Sequence, residues 1–175
     1  MSIDAERETR FTAWLTEHRG IMHKIAHAYA VEPADQADLL QEILLQLWRS
    51  LSAFREQAKP STWIYRVCLN TAMTWKRGEK KRRDLAAPEW SLSEVPASDP
   101  RPGWTHEETE LLGQLYKAVR ELPPTDRSLV LLALDGTSYR EISDITGLTE
   151  NHVGVALTRA RQKLAERLKG VRHEL

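Results

Sequence analysis

Residues 86–103 break the chain in two. The stretch is rich in proline, serine and acid and has no hydrophobic period, whereas on both sides apolar residues recur every three or four positions, as on one face of a helix. No segment shows the alternation of a half-buried strand. The sequence therefore predicts an all-α chain of two small helical domains, at about 1–83 and 105–175, joined by a flexible acidic linker at 84–104. With 175 residues, 41% apolar and 29% charged, each half is long enough for a modest core. No run approaches the roughly 20 apolar residues needed to span a bilayer, and MSIDAERETRF carries no signal-peptide hydrophobic stretch, so no membrane insertion and a cytoplasmic location are expected. The single cysteine, Cys68, excludes an internal disulfide and, on an apolar helix face, reads as a buried thiol.

Net charge is zero, but its distribution is uneven. Lys76–Arg83 carries six basic residues against Glu79, and Glu150–Lys169 carries five against two acids, while Asp84–Glu110 holds seven acids and only Arg101. Local fields rather than the total govern attraction to polyanions, so the two basic regions remain candidates for nucleic-acid contact.

In the first half, Leu15, Met22, Ile25, Ala26 and Tyr29 predict one or two amphipathic helices over Phe11–Ala30, with a break near Gly20. Pro33 and Asp35 signal a start for a helix over Gln36–Leu51. A loop, Ser52–Pro60, precedes a helix over Ser61–Arg83. In the second half, Leu111, Leu112, Leu115, Val119 and Leu122 predict a helix over His106–Leu122, closed by Pro123-Pro124, and Thr125–Leu134 predicts another, stopped at Asp135-Gly136. Ser138 and Glu141 form a capping-box pattern that opens a helix ending at Gly147; Thr149 then caps a long helix to about Lys169.

The helix Ser61–Arg83 interleaves aromatic, amide and basic side chains. Its period places Trp63, Arg66, Asn70, Met73 and Arg77 on one face and Ile64, Val67, Cys68, Thr71 and Trp75 on another, which we expect to be buried. Cations that track phosphates, flat groups that stack on bases and an amide that reads a base edge suit unpaired nucleic acid; a core helix with a solvated basic end is the plainer alternative. The last two helices have a helix-turn-helix layout: Ile142, Ile145 and Leu148 pack toward Val153, Leu157, Ala160 and Leu164. Asn151, Val155, Thr158 and Gln162 then face outward, Gly154 permits close approach, and Arg159 and Arg161 flank the face. Such a helix suits the major groove. In Gln36–Leu51, Leu39, Leu40, Ile43, Leu44, Leu47, Trp48 and Leu51 supply a core face, whereas Asp38, Gln41, Glu42, Leu45 and Arg49 form an outward stripe. Leu45 among polar residues suggests a protein-binding surface.

Taken in order, ADLLQEILLQLW, STWIYRVCLNTAMTWKR and ELPPTDRSLVLLALDGTSYREISDITGLTENHVGVALTRARQKL resemble the sigma-70 family of bacterial transcription initiation factors, in its small extracytoplasmic-function class. The resemblance implies a non-enzymatic sigma factor without cofactors. Its implied partners are core RNA polymerase, through the beta-prime clamp helices and the beta subunit flap, promoter DNA and an anti-sigma factor, with a monomer when free. Asp38, Gln41 and Glu42 match positions that grip the clamp helices. Phe54–Ser61 matches the loop that helps to hold a flipped base of the −10 element, and Asn70 matches a residue that contacts it, with Trp63, Arg66 and Arg77 on the same face. Asn151, Val155, Thr158, Arg159 and Arg161 fall on the helix that reads the −35 duplex. The linker matches a connector that threads the polymerase cleft and RNA exit path, where carboxylates mimic phosphates. Two departures stand out: Thr74 replaces a frequent acid, and Gly154 and Val155 offer a groove little hydrogen bonding, which shifts the reading toward Asn151, Thr158, Arg159 and DNA shape.

A stand-alone helix-turn-helix regulator, whose first domain dimerises or senses a ligand, is the rival reading. His23 and His27 stand four apart as in helical zinc hydrolases, but HKIAH lacks the glutamate base, and no metal site is expected.

Overall fold

The computed structural model describes residues 3–55, 57–85 and 105–171. The first of two compact units comprises α1 (Ile3–Glu17), α2 (Arg19–Tyr29), α3 (Pro33–Ser50), a 3-10 turn at Leu51–Ala53 and α4 (Pro60–Leu85). The second is built on α5 (His106–Arg120), α6 (Pro124–Leu134), the start of α7 (Tyr139–Thr146) and α8 (Glu150–Val171). The described elements are all helical, as the periodicity required. The linker and its acids at 86–104 lie outside the described residues.

The break between α1 and α2 falls at His18 rather than Gly20. His18 leaves helical geometry (φ −116°, ψ 16°), and Gly20 sits within the first turn of α2. α3 begins three residues before the expected start, with Pro33 at its first position, where the missing N–H is one that no helix satisfies internally. Gln36 fixes the preceding turn: its amide nitrogen donates to the carbonyls of Ala30 (3.3 Å) and Val31 (3.1 Å), and its oxygen lies 3.1 Å from His27 Nδ1. Leu39, Ile43 and Leu47 form the buried spine of α3, continued by Leu51 at the start of the 3-10 turn; Leu40, Leu44 and Trp48 are half-buried.

α4 packs against both α2 and α3 and so buries a broader strip than a single contact would need. Ile64, Tyr65, Cys68, Leu69 and Ala72 are buried, while Val67, Thr71 and Trp75 are only half-buried. The expected inner face is thus rotated toward Tyr65 and Leu69. Burial pushes the Cys68 thiol far above its ordinary pKa, so the thiolate needed for nucleophilic chemistry does not form.

In the second unit, a capping box that the sequence reading did not use opens α5. Thr105 Oγ1 accepts from the Glu108 backbone N–H at 3.2 Å, and the Glu108 carboxylate accepts from the Thr105 N–H at 2.8 Å. At the other end, the buried guanidinium of Arg127 donates to the carbonyls of Arg120 and of Leu122, the latter at 3.1 Å, which satisfies acceptors that the end of α5 leaves without helical partners. α6 buries six consecutive residues, Arg127–Leu132, between α5 and α8. α8 is further tied by Lys163 to Asp126 and by Arg167 to Glu121, each at 2.9 Å. Leu111, expected in the α5 core row, is 52% exposed, and Leu134 at the end of α6 is 56% exposed.

Candidate nucleic-acid interface

The helix-turn-helix is set by local chemistry. Ser138 and Glu141 form the expected capping box, with Ser138 Oγ accepting from the Glu141 N–H at 3.2 Å. Gly147 closes α7 at φ 78°, the left-handed region in which a side chain is strained. Thr149 Oγ1 accepts from the His152 N–H at 3.2 Å and starts α8. Ile142, Ile145, Val153, Leu157, Ala160 and Leu164 are buried and Leu148 is half-buried. Asn151, Val155, Thr158, Arg159, Arg161 and Gln162 are exposed. Gly154 differs from its expected use. A Cβ there would stand 3.3 Å from Cε2 of Tyr139, so the close approach Gly154 permits within the fold is that of an aromatic ring. Tyr139 was not picked out from sequence; glycine at a helical position facing an aromatic first residue of the preceding helix was the available signal.

In the first unit, Asn70 and Arg77 on α4 are exposed, and Ser61, Trp63, Arg66 and Met73 are half-buried. Arg77 Nη2 donates to Thr74 Oγ1 at 3.1 Å. Lys76 pairs with Glu79 at 2.8 Å, which partly neutralises the start of the basic end of α4; the side chains of residues 80–83 lie outside the described residues. Phe54, at the head of the loop, is not a free ring. Trp14 of α1 meets it edge-on at 5.0 Å and 83°, and Trp63 of α4 meets it at 5.8 Å and 62°. T-shaped pairs of this kind add roughly 0.5–1.5 kcal/mol beyond burial. Trp63 is therefore packed in a row of rings rather than laid open as a platform, and its indole N–H is buried with no hydrogen-bond partner among the described residues. Beside this row, the Arg7 guanidinium sits 4.3 Å over the Trp48 ring and donates to the Trp48 carbonyl at 2.7 Å, while Phe11 meets the same ring edge-on at 5.2 Å. Sequence reasoning missed Arg7 and Trp14, because nothing local connects them to residues some 40 positions away.

The outward stripe of α3 stands as expected. Asp38, Gln41 and Arg49 are exposed, and Leu45 keeps 41% of its surface in solvent. Glu42, half-buried on the same side, accepts from Gln46 Nε2 at 2.7 Å. The two histidines are engaged separately: His27 with Gln36, and His23 with Arg19, whose Nε donates to His23 Nε2 at 3.3 Å. Partial burial and the adjacent Arg19 charge lower the His23 pKa. No helix among the described residues is long and apolar enough to cross a membrane.

Comparison with known proteins supplies the frame for these surfaces. The family model for sigma-70 region 2 matches residues 14–82, and the model for sigma-70 region 4 matches residues 112–164. An ECF RNA polymerase sigma factor, SigE of Mycolicibacterium smegmatis, is 30% identical over 156 residues, covering 87% of this chain; the chain spans only 59% of that relative's length. The ECF RNA polymerase sigma-E factor of Escherichia coli K12 is 28% identical over 160 residues, covering 84% of this chain and 82% of the relative. Among solved structures, the sigma factor RpoE of Bartonella quintana, in complex with the anti-sigma factor NepR, shares the fold with a TM-score of 0.67 at 21% identity, over 91% of this chain and 97% of that one. Region 2 coincides with the unit that carries the α3 stripe and the α4 face, and region 4 with the helix-turn-helix. This chain belongs to the sigma-70 family, in its extracytoplasmic-function class.

Proposed function

We propose that the chain directs bacterial core RNA polymerase to promoters, docking through α3, reading duplex −35 DNA through α8 and capturing the melted −10 strand at the Phe54 loop and α4. The observation that carries this reading is the presence, in one chain, of two dissimilar surfaces in family order. One is an exposed amide and guanidinium, Asn70 and Arg77, on the helix that follows the loop; the other is a helix-turn-helix whose second helix exposes Asn151, Arg159 and Arg161. A stand-alone regulator whose first domain dimerises or senses a ligand accounts for the second surface and gives Asn70 and Arg77 no nucleic-acid role.

In this reading Asp38, Gln41, Glu42 and Leu45 bind the beta-prime clamp helices, and the beta flap engages the second domain. Leu45 gives that docking an apolar anchor within a polar rim, the arrangement that concentrates affinity at protein interfaces. Asn70 reads the flipped base and Arg66 and Arg77 hold phosphates. Trp63 contributes by bracing Phe54 rather than by open stacking. Flipping costs a few kcal/mol in unstacking, recovered only when the base fits, so opening and reading become one event. The factor acts as a cytoplasmic monomer without catalysis of its own; bond formation belongs to the polymerase. By likeness to the Bartonella protein, an anti-sigma protein is a further partner.

Gel filtration with bacterial core polymerase tests the docking step. We expect stable co-elution, lost when Asp38, Gln41 and Glu42 are replaced together by alanine. An intact factor that fails to co-elute yet binds a duplex site unaided would replace this reading with the regulator.

A further inference from the structure

The centre of the outer face of α8 is short of hydrogen-bonding groups where a groove-reading helix ordinarily carries them. Gly154 contributes no side chain, and the Tyr139 ring lies over its position, 3.3 Å from where a Cβ would be. Val155 is 45% exposed and Tyr139 41% exposed, so neither is part of the core. Thr158 is exposed, but its hydroxyl donates to the Gly154 carbonyl at 2.9 Å; its one proton is used within the helix, leaving an acceptor oxygen and a methyl group. An apolar centre results, with the Asn151 amide before it and the Gln162 amide after it along the helix, and Arg159 and Arg161 at the two edges of the face.

The flanking guanidiniums complement phosphates and leave the centre to meet base edges. In the major groove the apolar group that distinguishes one base from the others is the 5-methyl of thymine. We propose that Val155, next to the ring-covered Gly154, is a specificity-determining residue that reads a thymine methyl in the upstream duplex element, with Tyr139 completing the apolar surface. The inference rests on the reading of α8 as the duplex-contacting helix.

The test uses the full chain assembled with core polymerase. A duplex is selected from a pool randomised across the upstream element, and each thymine is then replaced by deoxyuridine, which deletes one methyl and leaves every hydrogen-bonding group in place. We expect affinity to fall about fourfold at one or two positions, the effect of one buried methyl-sized group. Val155→Ala should abolish the thymine–deoxyuridine difference at the position it reads and preserve it at any other sensitive position. Val155 is exposed, so folding is not at stake. Full tolerance of deoxyuridine, or a selected element without thymine, overturns the assignment while leaving duplex recognition intact. If Val155→Ala instead weakens polymerase assembly and leaves deoxyuridine discrimination unchanged, the patch belongs to a protein contact and the assignment fails. Selection of no duplex at all would sink the underlying reading of α8.

Discussion

Phe54 and Tyr139 are both aromatic residues at the margin of a proposed DNA surface, yet they are held in different ways. Phe54 is gripped edge-on by two tryptophans, one of them 40 positions earlier in the chain, so its placement depends on α1 docking correctly. Tyr139 begins a helix whose start is fixed by a capping box within four residues, Ser138 to Glu141, and its ring rests where Gly154 leaves space. The first surface is assembled by long-range packing and the second by local backbone chemistry. A surface of the first kind fails when a distant helix loosens; one of the second kind fails when a single cap or glycine is altered.

The largest expected effect lies on the packed side. Trp14→Ala removes a 5%-exposed indole and should cost the first domain about 3–5 kcal/mol, as large aromatic truncations in cores do. Denaturant unfolding followed on the first domain would show it, with the transition of the second domain unmoved. Trp14→Phe should restore much of the stability, and with Phe54 held again, promoter opening as well. A loss below about 1 kcal/mol would remove the contrast, because it would mean that Phe54 needs no distant support.

A smaller effect is expected on the local side. Gly147→Ala places a side chain at φ 78° and should cost about 1–2 kcal/mol, read as a lowered melting temperature of the second domain with weakened duplex binding. An unchanged melting temperature would show that the turn is held by packing after all, which would erase the distinction between the two surfaces.

The smallest effect concerns the cap of α5. Hydrogen bonds from Thr105, first from its backbone N–H and then from its hydroxyl, hold the Glu108 carboxyl below its ordinary pKa. The sign follows directly: the depressed group contributes above the ordinary carboxylate range and ceases to contribute as pH falls through its lowered value. NMR titration should place Glu108 below an unperturbed glutamate, and Thr105→Ala should move it upward. A normal titration in the parent protein would contradict the cap.

The same contrast explains how much could be read from sequence. Ser138, Glu141, Gly147 and Thr149 announce α7, its end and the start of α8, because caps and left-handed glycines are encoded within a few residues. The Thr105–Glu108 box had the same signature and was equally legible. Periodicity located α4 but misplaced its buried face, since Tyr65, Leu69 and Ala72 are covered by a choice of neighbours, α2 and α3, that a helical wheel does not contain. It likewise assigned Leu111 to the core of α5, whereas the packing of α6 and α8 leaves it exposed. Among the candidate site residues, the exposure of Asp38, Gln41 and Leu45 and of the outward positions of α8 followed from spacing alone. Arg7 on Trp48 and Trp14 on Phe54 did not, because only the folded chain brings them together.

The most direct test of the central claim is transcription reconstituted from purified core RNA polymerase, this protein and a promoter template chosen by selection. Run-off RNA that starts at one position, depends on the protein and disappears with Asn70→Ala, while that variant still co-elutes with polymerase, is the predicted result. Specific duplex binding by the protein alone, with no start-site-specific RNA when polymerase is present, would contradict the account.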